Sequence, residues 1–205
     1  MQSSVFKLIV AIMALVCMFA YWGGASAQIP PAHAPVMASS IAPAKGGAKL
    51  SVISGSFQNN GTIPDTFSQN GANQSPALSW SAGPAGTQSY VVLAEDSGVE
   101  RPLPIDHWVL YDIPAGIVNL PQGLAKEPKL ANPAGAMNGV NIAKAAGYIG
   151  PKPPTAQTHP YHFEVFALDT KLGLDPAKTD RTAVANAMKG HVLAEVEIVG
   201  LYTGK

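Results

Sequence analysis

The chain has 205 residues, with 13 Lys and Arg against 13 Asp and Glu and a formal net charge of zero. That balance argues against a nucleic-acid partner, which usually announces itself by a basic excess. A single cysteine, Cys17, rules out a disulfide within the chain.

Residues 1–27 read as a secretory signal peptide. Lys7 is their only charge, residues 8–20 form an uninterrupted apolar run, and Ala25-Ser26-Ala27 fits the small-x-small cleavage rule, with cleavage before Gln28. The run is shorter than the roughly 20 residues a spanning helix needs, so no stable membrane span is expected after cleavage. Ala14-Leu15-Val16 before Cys17 is a poor lipobox, and no lipid anchor is expected. With Cys17 removed, the secreted, periplasmic protein would have no thiol nucleophile and no thiolate metal ligand. Residues 28–48 are rich in Ala, Pro, Gly and Ser without hydrophobic periodicity, and read as a flexible linker. The folded domain is placed at residues 49–205.

Within that domain short apolar segments alternate with turn residues. Strands are predicted over residues 50–57, 77–81, 89–95, 107–113, 161–168 and 192–201. The segments at 89–95 and 107–113 are apolar on both faces and should be central strands covered on each side. Residues 180–188 form the one good helical pattern, with Asp180 or Thr179 as N-cap and Gly190 as stop. The fold class is therefore mainly β, an antiparallel β sandwich with minor helices.

Two distant segments could wall one anion pocket. In the first, Glu95 and Asp96 end an apolar strand before Ser97-Gly98, and His107 opens the next strand after Asp106. The acids read either as an acidic turn or as carboxylates that bind a ligand or orient a histidine. His107 is either a donor to an anion, with a charge that responds near neutral pH, or a core histidine satisfied by a carbonyl. In the second, Gly147-Tyr148-Ile149-Gly150-Pro151-Lys152-Pro153-Pro154 precedes His159 and Tyr161. Its glycines allow close approach and its prolines stiffen the loop; it is either a rigid surface loop or a set of pre-organised N–H donors. Strand alternation should turn His162 to the face opposite Tyr161, in a structural role.

These motifs resemble the phosphatidylethanolamine-binding protein family, in its bacterial Raf-kinase-inhibitor-like branch. The run Ser75-Pro76-Ala77-Leu78-Ser79-Trp80, His107-Trp108-Val109, Tyr111-Asp112-Ile113-Pro114, the Gly147–Pro154 loop and Ala187-Met188-Lys189-Gly190-His191 occur in the matching order over nearly all of residues 50–202. The resemblance implies a β sandwich whose small pocket takes phosphate-bearing or carboxylate anions. Carried over by motif, the walls would be Glu95, Ser97, His107, Gly150, Pro153, His159 and Tyr161. His107 and His159 would donate to the anion, the backbone at Gly150 would offer N–H groups, and Tyr161 would supply a hydroxyl. Two positions depart from the family. Its Asp-Pro-Asp-x-Pro motif stands here as Glu95-Asp96-Ser97-Gly98-Val99, with Asp96 as a displaced carboxylate, and its His-Arg pair stands as His159-Pro160. Loss of an arginine, the best two-point phosphate holder, extends the expected ligand to carboxylates and other weak anions.

The resulting expectation is a periplasmic binding protein for a small anionic ligand, not an enzyme, without cofactor or metal. The chain has no Gly-x-Ser-x-Gly elbow. The family also implies pairing as a homodimer. Two other readings stand beside this one: an inhibitor or regulator of a protein partner such as a kinase or serine protease, and a metal-dependent hydrolase built from His107, His159 and Glu95 or Asp96.

Overall fold

Strand alternation with apolar residues on both faces makes β4 (Ser89–Asp96) the centre of the protein: all eight of its residues are buried. In the computed structural model, which describes residues 34–205, β4 lies between β5 (Ile105–Pro114) and β8 (Thr158–Leu168), antiparallel to both. β9 (Val192–Thr203) pairs with β8 along almost its whole length. Short strands finish the six-stranded sheet: β2 (Gly61–Thr62) runs parallel to β9, and β7 (Met137–Asn138) pairs with β5. A second sheet holds β1 (Val52–Ser54), β3 (Leu78–Trp80) and β6 (Asn119–Leu120) in the order β1-β3-β6.

The two faces of the large sheet bury two separate cores. Tyr90, Val92 and Ala94 of β4 point into one, with Trp108 and Leu110 of β5, Phe163 and Val165 of β8, and Leu78, Trp80 and Leu120 of the small sheet. Val91 and Leu93 point into the other, with Val109, Phe166 and Leu168. Helix α2 (Arg181–Met188) covers that second face through Val184, Ala185 and Met188. Asp180 caps it, its side chain accepting from the Ala183 N–H at 2.9 Å, an interaction worth about 1 kcal/mol. Gly190 follows at φ +75, the left-handed turn that ends the helix.

The β-sandwich expectation holds, with local differences. The strand predicted over residues 50–57 is confined to Val52–Ser54. Beyond it, Ser54 Oγ donates to the Ala77 carbonyl and Ser56 Oγ accepts from the Ala77 N–H, so side chains replace the ladder there. β2, β6 and β7 are two-residue strands with no periodicity to mark them.

The linker expected over residues 28–48 is corrected where the structure describes it; residues 28–33 and the signal segment 1–27 lie outside the described residues. Residues 36–45 are docked on the second face of the large sheet. A four-residue helix, α1 (Ala38–Ile41), buries Ala38, and Ala42 follows it into the same core. The Ala38 N–H donates to Glu95 Oε2 and the Ser39 N–H to Glu164 Oε1, each at 3.2 Å. Arg181 donates to the other oxygen of Glu95 and, at 2.6 Å, to the Val36 carbonyl. Lys45 closes the segment with its N–H on the Val192 carbonyl and its ammonium on Asp169. The physical reason is that alanines let backbone approach the sheet closely, while their composition is the same as that of a linker.

The Glu95–Arg181 pair is almost fully withdrawn from water. Glu95→Ala leaves a buried guanidinium without its carboxylate and is expected to destabilise the fold by about 3–5 kcal/mol, measured by urea unfolding. Glu164 also titrates abnormally: burial first, and the neighbouring Glu95 second, push its carboxyl up to about 8. The fold thus favours the protonated acid. This contribution is fully present below the unfolded carboxylate value and is lost as pH rises through about 8. Glu164→Gln is expected to flatten that alkaline fall in stability, checked by unfolding curves across the pH range.

Candidate functional site

The C-terminal end of β4 meets the N-terminal ends of β5 and β8, and there the sheet opens into a cleft of about 710 Å³. Asp96 and Tyr161 are register partners across β4 and β8, so their side chains share the face that opens there. Simple alternation would turn His107, like Val109, to the opposite face. A one-residue irregularity prevents it: Ala94 pairs with Trp108 but Glu95 with Asp106, which leaves His107 as the extra residue of a β-bulge. The bulge turns the imidazole into the cleft, edge-on to the Tyr161 ring at 5.1 Å between centroids.

Each histidine is oriented by a different acceptor. Asp96 takes the His159 Nδ1–H at 2.9 and 3.1 Å and the Gly98 N–H at 2.8 Å. The Nε2 of His159 faces the Gln157 side-chain oxygen at 3.4 Å. Each ring nitrogen of His159 thus has a side-chain oxygen within reach. Gly98 is required for this packing: a Cβ there would lie 2.5 Å from the His159 ring.

His107 donates its Nδ1–H to the Ile149 carbonyl at 2.8 Å, and the Ile149 N–H returns a bond to the His107 carbonyl. Burial holds this imidazole below its ordinary value, against the opposing pull of its backbone acceptor and Asp96. The neutral ring therefore keeps its proton on Nδ1 and presents Nε2 as a lone pair. Sequence reasoning expected a donor here; His107 becomes one only by taking up a second proton. Burial also pushes the Tyr161 phenol up, so its O–H stays intact. That hydroxyl is buried and makes no hydrogen bond of good geometry among the described residues, although Asp96 and the Lys152 backbone both act on it. Arg101 and Lys152 line the outer part of the same cleft.

Of the seven residues singled out in the sequence, His107, Pro153, His159 and Tyr161 come together in this cleft, and Asp96 joins them. Three do not. Glu95 points to the opposite face, where it holds Arg181 and α1; neighbours on a regular strand alternate between faces. Ser97 bonds His162 Nε2 at 2.9 Å, outside the cleft. His162 also bonds Glu197, in keeping with the structural role expected of it. Gly150 offers no free N–H: it donates to Asn73 Oδ1 at 2.7 Å, and its carbonyl accepts from Gln69. A Cβ at Gly150 would lie 2.3 Å from the Phe67 carbonyl, so this glycine serves close backbone packing. The Gly-Pro loop contributes the Ile149 carbonyl and Pro153 rather than a nest of amides.

Position 160 alternates away from the cleft that His159 and Tyr161 line, so an arginine there would not enter it. The cleft cations come instead from the loops, at Arg101 and Lys152. Arg101 was missed because an arginine in a loop without periodicity has nothing in the sequence to place it. Among the described residues no group of three or more His, Cys, Asp and Glu has metal-holding geometry, and no helix is long and apolar enough to cross a membrane.

Because the fold favours neutral His107, its stabilising effect is present above about 6.5, the unfolded histidine value, and is lost as pH falls below it. In an NMR titration His107 is expected to protonate below the ordinary histidine range.

Comparison with known proteins agrees with this architecture. Residues 53–203 match the family model described as phosphatidylethanolamine-binding protein. A UPF0098 protein of Aquifex aeolicus is 38% identical over 160 residues, covering 77% of this chain and 90% of the relative. A UPF0098 protein of Methanothermobacter thermautotrophicus is 36% identical over 147 residues, covering 71% and 93%. Among solved structures, Escherichia coli YbcL, described as a new member of the mammalian PEBP family, superposes with a TM-score of 0.71 at 29% identity, covering 77% of this chain and 100% of that one.

Proposed function

The chain belongs to the phosphatidylethanolamine-binding protein family, and from that premise we propose that it is an exported, periplasmic protein that binds a small oxyanion in the cleft between Asp96, His107, His159 and Tyr161. The observation that carries the reading is the Tyr161 hydroxyl: a buried O–H with no hydrogen bond of good geometry, inside a cleft that also holds two histidines and two loop cations. Leaving such a group unsatisfied costs about 1–3 kcal/mol, and a ligand oxygen would remove that cost. His159 is anchored by Asp96 and offers its other nitrogen. His107 supplies a lone pair until it gains a proton, so it fits a ligand that brings one, such as hydrogen phosphate, a phosphomonoester head group or a carboxylic acid. Arg101 and Lys152 supply long-range attraction at the mouth.

Binding without turnover is the chemistry this arrangement supports. The acid beside His159 orients an imidazole, but the one hydroxyl lining the same cleft is a phenol held neutral by burial, a weak nucleophile. Export rests on Lys7, the apolar run at 8–20 and the Ala25-Ser26-Ala27 site.

Isothermal titration with inorganic phosphate, phosphoethanolamine and acetate tests the reading. At least one is expected to bind with one site per chain; hydrogen phosphate, which brings its own proton to His107, is expected to bind without proton uptake, whereas acetate is expected to bind with it. Tyr161→Phe is expected to weaken that ligand about tenfold, the loss of one hydrogen bond to a charged acceptor. Absence of binding by all three, or affinities untouched by both Tyr161→Phe and His107→Ala, would refute it.

A further inference from the structure

On the face of the large sheet opposite the proposed oxyanion cleft, three polar side chains stand in line across three strands. His162 of β8 is in the middle; it pairs with Glu95 of β4 on one side and with Val199 of β9 on the other. Ser97 continues β4 by one residue, its N–H on the Pro160 carbonyl at 3.3 Å, which sets it diagonal to His162. Glu197, two residues before Val199, is diagonal to His162 on the other side. Diagonal neighbours on one face of a ladder lie within reach of long side chains, and here both contacts form. Ser97 Oγ is 2.9 Å from His162 Nε2, and Glu197 Oε2 is 2.9 Å from Nδ1.

The direction of these bonds follows from Glu197. Its bond to His162 holds its carboxyl below the usual carboxylate range, and an ionised carboxylate only accepts. The neutral ring therefore carries its proton on Nδ1, and Nε2 presents a lone pair that takes the Ser97 O–H. The two bonds that hold His162 in place thus also connect a hydroxyl, an imidazole and a carboxylate in the order that activates serine as a nucleophile.

The surroundings supply a place for a substrate. Ser97 and His162 line a pocket of about 390 Å³, walled by the apolar side chains of Ala34, Pro35, Met37 and Val99. The Gly98 N–H is committed to Asp96. The next two, at Val99 and Glu100, donate to no group among the described residues, and both residues line the pocket. Backbone donors left without partners beside a serine can receive the charge that develops on an attacked carbonyl oxygen. Glu100 brings a negative charge to the same pocket, which disfavours an anionic substrate.

We propose that Ser97, His162 and Glu197 hydrolyse a small, neutral carboxylic ester whose acyl group lies against the apolar wall. Ser97 Oγ attacks the carbonyl carbon as its proton passes to His162 Nε2. The ester C–O bond then breaks, the departing alcohol takes that proton, and an acyl-serine remains. Water attacks the acyl carbon and gives a proton to Nε2. The carboxylic acid leaves as Ser97 Oγ recovers the proton, so water is the only other reactant consumed. The Glu197 side chain is 51% exposed, and water screens its attraction for the imidazolium. That suits esters rather than amides, whose leaving groups are poorer. The three residues lie outside the cleft of Asp96 and Tyr161, and their chemistry does not depend on what binds there.

Hydrolysis of p-nitrophenyl acetate and butyrate by the purified protein, with an alkyl fluorophosphonate as covalent probe, tests this. Turnover above that of an equal concentration of imidazole is expected. Peptide mass spectrometry is expected to place the phosphonyl group on Ser97. Ser97→Ala and His162→Gln are each expected to lower the rate about 100-fold, and Glu197→Gln to lower it less. His191→Ala, at another surface histidine bonded to an acid, should leave the rate unchanged. Turnover no faster than imidazole's, the absence of label on Ser97, or a rate that survives Ser97→Ala would overturn the proposal. So would a rate lost with His191→Ala. The label is read on the parent protein, so it decides the matter even where a variant fails to fold.

Discussion

Burial of β4 on both faces is the constraint from which the rest of the protein follows. A strand that is covered on each side leaves no solvent face for a charged residue, yet β4 ends in two adjacent carboxylates, Glu95 and Asp96, both buried. Alternation sends them in opposite directions, and each must find its own partners in low dielectric. Asp96 finds His159 and the Gly98 amide, and so helps build the cleft at the end of the sheet. Glu95 finds Arg181 and the Ala38 amide, and so fastens helix α2 and the N-terminal segment to the back of the sheet. One dipeptide therefore organises two chemically different surfaces.

The cleft depends equally on a departure from regularity. A perfect β4–β5 ladder would point His107 away from Tyr161; the bulge opposite Glu95 turns it back. The loop before β8 then fixes the ring by a carbonyl at Ile149, which leaves the neutral imidazole with a lone pair toward ligand. The cleft thus combines a histidine anchored on a carboxylate, a neutral histidine and a phenol O–H without a hydrogen bond of good geometry. Under the role proposed for it, such a set would suit a ligand that both accepts and donates protons, without an arginine after His159.

Opposite faces of the same ladder also differ in electrostatic character. The front gathers two histidines and the loop cations Arg101 and Lys152 with the acids Asp96 and Glu100. The back gathers Glu95, Glu164, Glu195 and Glu197 against Arg181 and His162. With so few cations there, Glu164 remains a neutral acid at physiological pH, since ionising it beside Glu95 in a dry environment is unfavourable. The N-terminal segment is held to this acidic face by the Ala38 and Ser39 N–H bonds.

The sequence by itself determined the layered β architecture, because periods of two with apolar residues on both faces admit few other arrangements. It determined α2 and its Asp180 cap, and it determined that His107, Pro153, His159 and Tyr161 meet, through motifs whose order and spacing resemble a known family. It did not determine which of Glu95 and Asp96 enters the cleft. That depends on the absolute register of β4, and a shift by one residue exchanges the faces. Nor could composition separate a docked alanine-rich segment from a linker, since the difference lies in what surface is available to receive it. The bulge at His107, the commitment of the Gly150 amide to Asn73, and the arrival of Arg101 from a distant loop are likewise tertiary decisions. Each is a contact between residues far apart in the chain, and local sequence preference carries no term for it.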